Sequence, residues 1–131
     1  MPGRALVDSS FFIERLRAGL DPLQELAAFS DDWEFLTCGV VRIEVLRGMK
    51  HKTAHRRMAD FMDCMWDVPT RNTVWERAAE LAGKMDRQGR PMQVTDLLIA
   101  TCALEAEAAV LTLDADFPRV PGLRAIRSLD D

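Results

Sequence analysis

The sequence predicts an α/β domain built from βαβ units. Short apolar runs of strand length alternate with segments whose apolar residues recur every three or four positions, as on a helix face. This alternation is typical of parallel strands joined by right-handed helical crossovers. At 131 residues, the chain has room for one such domain, spanning 1–131, around one hydrophobic core.

The first half of the chain predicts two strands and four helices. The strands are at 5–7 and 35–38, and the helices follow Ser10, begin at Pro22, cover 40–46 and include 58–65. Gly19 ends the first helix. Asp21 is the expected N-cap of the second, with Pro22 at its first position. In the fourth helix one apolar face is rich in methionine, which fills gaps in cores.

The second half predicts three strands and two helices. A weak strand at 67–69 precedes a helix with a capping box, in which Thr73 and Glu76 satisfy each other's backbone donors. After a loop at 87–91, an alanine-rich helix covers 97–108 with Asp96 at its start. Strands follow at 109–113 and 123–126.

Composition and charge restrict the class of protein. Seventeen Lys and Arg residues against 21 Asp and Glu give a net charge of −4, which argues against a wholly basic nucleic-acid binder. The three cysteines lack CxxC spacing and lie in apolar runs, so we expect Cys38, Cys64 and Cys102 to be reduced and buried. Neither a leader-like apolar stretch nor a run of about 18 apolar residues is present, so we expect a cytoplasmic protein.

Four carboxylates stand where local structure does not require them. Asp8 and Asp114 follow predicted strands, Glu44 lies within an apolar helix, and Asp96 opens another helix. Ligands of parallel sheets bind outside the carboxyl ends of the strands, so these acids are expected at one edge. Carboxylates without nearby His or Cys suit Mg²⁺ or Mn²⁺, which supports metal-assisted phosphodiester hydrolysis.

Each carboxylate also has a purely structural interpretation. Asp96 would serve as an ordinary N-cap, and Glu44 would pair with Arg42 or Arg47. Turn or cap positions would explain the remaining three acids, Asp8, Asp114 and Asp116. Three hydroxyl residues would either cap a helix, pack in a strand or present an oxygen to the cluster: Ser9, Ser10 and Thr112.

The motifs that carry these acids occur in a recognisable order: Leu6-Val7-Asp8-Ser9-Ser10, Glu44, Asp96-Leu97-Leu98-Ile99-Ala100, and Leu111 to Phe117. In order and spacing the chain resembles a PIN-domain ribonuclease of the VapC type, the toxin half of a toxin–antitoxin pair. The resemblance covers nearly the whole chain. It implies a Rossmann-like three-layer sandwich with a central, mostly parallel sheet, and a Mg²⁺- or Mn²⁺-dependent endoribonuclease. It also implies homodimers and neutralisation by a VapB-type antitoxin.

The resemblance assigns roles residue by residue. Asp8 and Asp96 match the family's principal metal ligands, and Glu44 matches the acid that completes the site or helps activate water. Asp114 matches the fourth acid. Because the acids around the final motif vary in this family, Asp114, Asp116 or both through water would face the metal.

Two surfaces are candidates for binding macromolecules. A basic stretch would hold an RNA backbone through its phosphates, or would simply be a solvated helix face: Arg47, Lys50, Lys52, Arg56 and Arg57. The first two helices are expected to expose an apolar groove, where by resemblance an antitoxin segment docks: Phe11, Phe12, Leu16, Leu23, Leu26 and Phe29. The three tryptophans, Trp33, Trp66 and Trp75, are expected to be packing residues.

Two alternatives from other functional classes remain. A phosphoacceptor receiver domain has similar length and strand-end acids, but here the first strand ends in one Asp8 and no Lys follows the last strand. The other is a non-catalytic PIN-like binding module, which the presence of all four expected acids disfavours.

Overall fold

Five parallel strands form the centre of the structure, a computed structural model that describes residues 2–130. The strands are β1 (Gly3–Val7), β2 (Trp33–Thr37), β3 (Trp66–Asp67), β4 (Ala109–Leu111) and β5 (Ala125–Ile126). Their order in the sheet is β3-β2-β1-β4-β5, and every pair is parallel. All strands therefore end at the same edge, as the alternation of strands and helices predicts.

Six helices complete a three-layer α/β sandwich. They are α1 (Ser9–Arg17), α2 (Pro22–Ala28), α3 (Gly39–Leu46), α4 (Lys52–Asp63), α5 (Asn72–Arg87) and α6 (Val94–Glu105), and a 3₁₀ turn covers Phe117–Arg119. Asp21 caps α2 as predicted, since its Oδ1 accepts the backbone N–H groups of Leu23 and Gln24. No helix within residues 2–130 is long and apolar enough to cross a membrane.

The core is densest around β1, β4 and α6. Ala5, Leu6 and Val7 of β1 are fully buried. Every residue of α6 from Leu97 to Ala103 is buried, which explains why this helix is apolar all round rather than amphipathic. Because α6 passes through the core, the start of the helix is held firmly at the carboxyl edge of the sheet.

Several predicted boundaries differ from the structure by one to three residues; for example, β5 begins at Ala125 rather than at residue 123, and α4 ends at Asp63 rather than at residue 65. The prediction of a capping box at Thr73 and Glu76 is wrong. α5 begins at Asn72 after the N-cap Arg71, so Thr73 lies inside the helix, and no side-chain hydrogen bond caps the start of α5 among the described residues. α6 begins at Val94 and ends at Glu105, three residues earlier at each end than predicted. β4 ends at Leu111, because the chain turns where the side chain of Thr112 bonds to the neighbouring strand's end.

Several predicted exposures are also wrong. The apolar groove is not open, since four of its six residues are buried in the core: Phe11, Phe12, Leu23 and Leu26. Cys64 is exposed, whereas Cys38 and Cys102 are buried as expected. Trp33 packs and donates its indole N–H to the carbonyl of Leu129, but Trp66 and Trp75 are 67% and 50% exposed. β3 is a two-residue edge strand, which leaves Trp66 at the margin of the sheet.

Candidate active site

Asp8 is the most constrained carboxylate at the carboxyl edge. It directly follows β1, caps α1 and is 2% exposed. Its Oδ2 accepts hydrogen bonds from the hydroxyls of Ser10 (2.7 Å) and Thr112 (2.9 Å), and a longer one from the Ser10 backbone N–H. Its Oδ1 is buried and has no hydrogen-bond partner among the described residues. An unpaired buried carboxylate oxygen is costly, so this atom is a natural ligand for a cation.

The end of β4 is bound to Asp8 by two hydroxyl groups. Besides its bond to Asp8, Thr112 Oγ1 accepts the backbone N–H of Asp114 at 3.0 Å. Ser10 Oγ lies 3.2 Å from Thr112 Oγ1 and accepts the N–H of Leu113 at 3.0 Å. These bonds hold the backbone before Asp114 against the beginning of α1. The sequence offered Ser10 and Thr112 as possible cluster residues, and the structure places both beside Asp8.

Asp114 and Asp116 form one turn beyond Thr112. The backbone N–H of Asp116 donates to Asp114 Oδ1 at 2.9 Å, which fixes the orientation of the Asp114 carboxylate. Both acids are partly buried. Asp116 Oδ1 also lies 3.6 Å from a guanidinium nitrogen of Arg119. Both acids therefore lie at the cluster, which leaves open the choice between them that the sequence raised.

Asp96 lies in the first turn of α6 but is not its N-cap. The N-cap is Gln93, so the ordinary capping role does not explain the carboxylate. Burial, and after it the charges of four other acids, together raise the pKa of Asp96 from 3.8 to about 6: Asp8, Asp114, Glu44 and Asp116. The raised pKa therefore indicates that Asp96 and these four acids lie in one region.

Glu44 reaches the same region from α3. Its Oε1 accepts a hydrogen bond from the Ser9 hydroxyl at 3.1 Å, which joins α3 to the start of α1. The predicted alternative, an ion pair with Arg42 or Arg47, is not formed. Arg42 pairs instead with Asp63 at 2.6 Å, and Arg47 has no acidic partner among residues 2–130.

The cluster has the donor set of a divalent metal centre. Carboxylate oxygens of Asp96, Asp114 and Asp116 all lie within 4.8 Å of one another. Asp8 contributes an unpaired oxygen nearby, and the cluster contains oxygen ligands alone. Hard cations such as Mg²⁺ and Mn²⁺ prefer such ligands, and a cation would relieve the repulsion that raises the pKa of Asp96. The residues present therefore fit a divalent metal.

Solved structures share this fold at low sequence identity. A chain of VapBC2 from Rickettsia felis, described as bound to a DNA fragment from its promoter, has a TM-score of 0.78 and 19% identity over 94% of this chain and 97% of its own. A DNA-bound VapBC from Salmonella typhimurium gives 0.77 and 16%, over 96% and 98%. VapC20 from Mycobacterium tuberculosis, described as a toxin that cleaves the sarcin–ricin loop, gives 0.70 and 18%, over 95% and 99%.

The sequence itself matches a family model. Comparison with curated proteins gives no match. The model of the PIN domain, however, matches residues 5–123, a range that contains the whole carboxylate cluster, most of β1, and β2, β3 and β4. On this match, the chain belongs to the PIN-domain family.

Proposed function

We propose that the protein is a metal-dependent endoribonuclease, the toxin of a type II toxin–antitoxin system, acting in the cytoplasm. One observation carries the proposal: on a PIN fold, five carboxylates gather at the carboxyl edge, and among the described residues only Asp116 of the five pairs with Lys or Arg. A cluster of this kind destabilises the metal-free chain and is useful only when a cation and a substrate phosphate are present.

Each side chain has a role in this proposal. Asp8, Asp96 and Asp114 would hold Mg²⁺ or Mn²⁺, with Asp116 as a ligand directly or through water. When bound, the metal would lower the pKa of a water molecule and offset the charge of the phosphodiester. Glu44 would orient that water and accept its proton at Oε2, because the Ser9 hydroxyl already occupies Oε1. Ser10 and Thr112 would keep Asp8 Oδ1 directed at the metal.

The proposed partners follow from the structural neighbours. These include VapBC assemblies and a toxin–antitoxin complex from Klebsiella pneumoniae. By analogy, we propose that a VapB-type antitoxin neutralises this chain and that the toxin is a homodimer. The neighbour described as a toxin that cleaves the sarcin–ricin loop supports RNA as the class of substrate. With four of the six groove residues of α1 and α2 buried, the exposed Leu16 and the partly buried Phe29 are what remains of the predicted antitoxin surface.

Cleavage of end-labelled total RNA tests the proposal. The purified protein would be incubated with Mg²⁺ or Mn²⁺ and with chelator, beside Asp96→Asn and the control Glu105→Gln at the far end of the same helix. We expect discrete, metal-dependent cuts by the parent and the control, and a loss of roughly 10³-fold in rate for Asp96→Asn. Equal cutting by Asp96→Asn would reveal a contaminating nuclease and contradict the proposal.

A binding module without catalysis is the remaining alternative, because a receiver domain does not agree with a chain of the PIN-domain family. The same experiment separates the two. RNA that is bound but left intact in every metal condition would support the binding module.

A further inference from the structure

The segment from the end of α3 through the first turns of α4 carries the most concentrated positive charge of the chain. From residue 47 to residue 57 there are five Lys and Arg residues and no Asp or Glu. All five side chains are exposed: Arg47, Lys50, Lys52, Arg56 and Arg57. We refer to these five residues as the α3–α4 basic turn. Its charge contrasts with the net acidity of the whole protein.

Two of the five charges are neutralised within the protein. Arg57 pairs with Asp21 at 2.8 Å, which fastens α4 to the start of α2, and Arg56 pairs with Asp60 at 3.4 Å. Ion pairs within the protein therefore neutralise only these two of the five cations. The other three have no acidic partner among the described residues: Arg47, Lys50 and Lys52. Three unneutralised cations thus remain on the turn.

The basic turn begins close to Glu44, one of the acids of the carboxylate cluster. Arg47 follows Glu44 by three residues on the same helical path, a rise of about 4.5 Å along the axis. A cluster of five carboxylates repels the phosphates of a nucleic acid, so a polyanionic substrate needs positive contacts just outside the cluster. The basic turn supplies such contacts next to the acid proposed to activate water.

We propose that the sugar–phosphate backbone of an RNA substrate leaves the carboxylate cluster across the α3–α4 basic turn, with Arg47, Lys50 and Lys52 contacting its phosphates. These contacts position the strand and do not read its sequence. The proposal rests on the nuclease function above and adds to it the direction in which the substrate lies.

A second basic segment provides a matched control. Lys84, Arg87 and Arg90, at the end of α5 and in the loop before α6, are also exposed and have no acidic partner among the residues described. Asp86 lies among them and reduces their net charge, whereas the basic turn contains no acid. The two sets carry the same number of removable charges. The second set leads into α6, whose first turn carries Asp96, so the comparison tests the other path by which a strand could leave the cluster.

The test compares two triple variants of the full chain: Arg47→Gln/Lys50→Gln/Lys52→Gln and Lys84→Gln/Arg87→Gln/Arg90→Gln. Fluorescence anisotropy would follow a labelled, mixed-sequence single-stranded RNA in chelator, between low and moderate salt. For the first triple we expect roughly tenfold weaker binding at low salt, and a slope of log K against log salt that is smaller by about 2. The second triple should keep the parent's slope.

Unchanged RNA binding by the first triple, or an equal loss in both, would overturn the inference. So would loss of antitoxin binding with RNA binding retained, since the surface would then belong to the protein partner. Binding in chelator needs no cleavage. A parent chain that binds RNA through this turn but never cuts it would therefore refute the nuclease and leave the binding surface standing.

Discussion

The two ends of the sheet use the same types of residue in opposite ways. At the amino end, acids pair with bases: Arg4 of β1 lies 3.5 Å from Glu34 of β2, and Arg77 of α5 lies 3.2 Å from Glu105 of α6. At the carboxyl end, five acids lie beside one another, and within residues 2–130 only Asp116 of the five has a basic partner. α6 links the two ends, because it begins near the carboxylate cluster and ends beside Arg4, which donates to the carbonyl of Ala106.

Only one of these arrangements is explained by folding. Exposed ion pairs contribute little to the free energy of unfolding, but they do not destabilise the fold. Burial beside other carboxylates raises the pKa of Asp96, and an oxygen of Asp8 is buried with no partner among the described residues; both features oppose folding. Strain of this kind at one edge of an otherwise well-packed domain is typical of a functional site. The following variants test whether the carboxyl end differs from the rest of the molecule in this way.

The largest expected change in stability comes from the hydroxyl of Thr112. Thr112→Val keeps the shape of the side chain but removes a donor to Asp8 and an acceptor for the N–H of Asp114, so we expect a loss of about 1–3 kcal/mol in unfolding free energy. Thr37→Val is the matched control, since Thr37 Oγ1 is buried at the end of β2 with no partner among the described residues. That variant should be as stable as the parent or slightly more so. Urea denaturation of both proteins measures the difference, and equal losses would contradict the network.

The next effect comes from removing one charge of the cluster. In chelator above pH 6, we expect Asp96→Asn to be more stable than the parent by about 1 kcal/mol, a value reduced for the partial exposure of the side chain.

The sign follows from the raised pKa. Between the ordinary value of 3.8 and about 6, the folded parent keeps a proton on Asp96 that the unfolded chain has lost, so its stability falls as the pH rises through this window. The variant does not show this loss. Thermal melts at pH 3.5 and pH 7.5 should therefore show an advantage for Asp96→Asn only at the higher pH. An advantage of the same size at both would mean that charge repulsion is not its source.

The smallest effect belongs to the amino end. Glu105→Gln removes the pair with Arg77, whose side chains are 34% and 45% exposed, and should cost less than about 0.5 kcal/mol. Its cost should shrink further in high salt. A larger or salt-independent loss, measured by the same urea titrations, would show that this pair is a structural requirement and weaken the contrast between the two ends.

Local sequence signals account for much of the fold and for the position of the acids. The alternation of apolar runs and helical periodicity predicts five strands and six helices, and Asp8 and Asp114 reach the same edge because both follow parallel strands. The acid of α6 is also predictable, since it precedes a long apolar run. These features depend on neighbours within one helix turn or one strand.

What the sequence did not predict depends on contacts between distant segments. The hydrogen bond from Thr112 to Asp8 spans 104 positions, and no periodicity reveals it. The burial of Phe11 and Phe12 reflects the packing of α3 against α1, so a face that is apolar in sequence was mistaken for an open groove. Trp66 is exposed because β3 is short and lies at the edge, a fact of sheet order rather than of local sequence.

Calorimetric titration with Mn²⁺ tests the central claim most directly, namely that the carboxylates converge to bind a divalent metal. The parent and Glu105→Gln should bind Mn²⁺ saturably and alike, whereas Asp96→Asn should bind it roughly tenfold more weakly or not at all. If Asp96→Asn bound Mn²⁺ as tightly as the parent, or if neither bound it, the carboxyl edge would not be a metal centre.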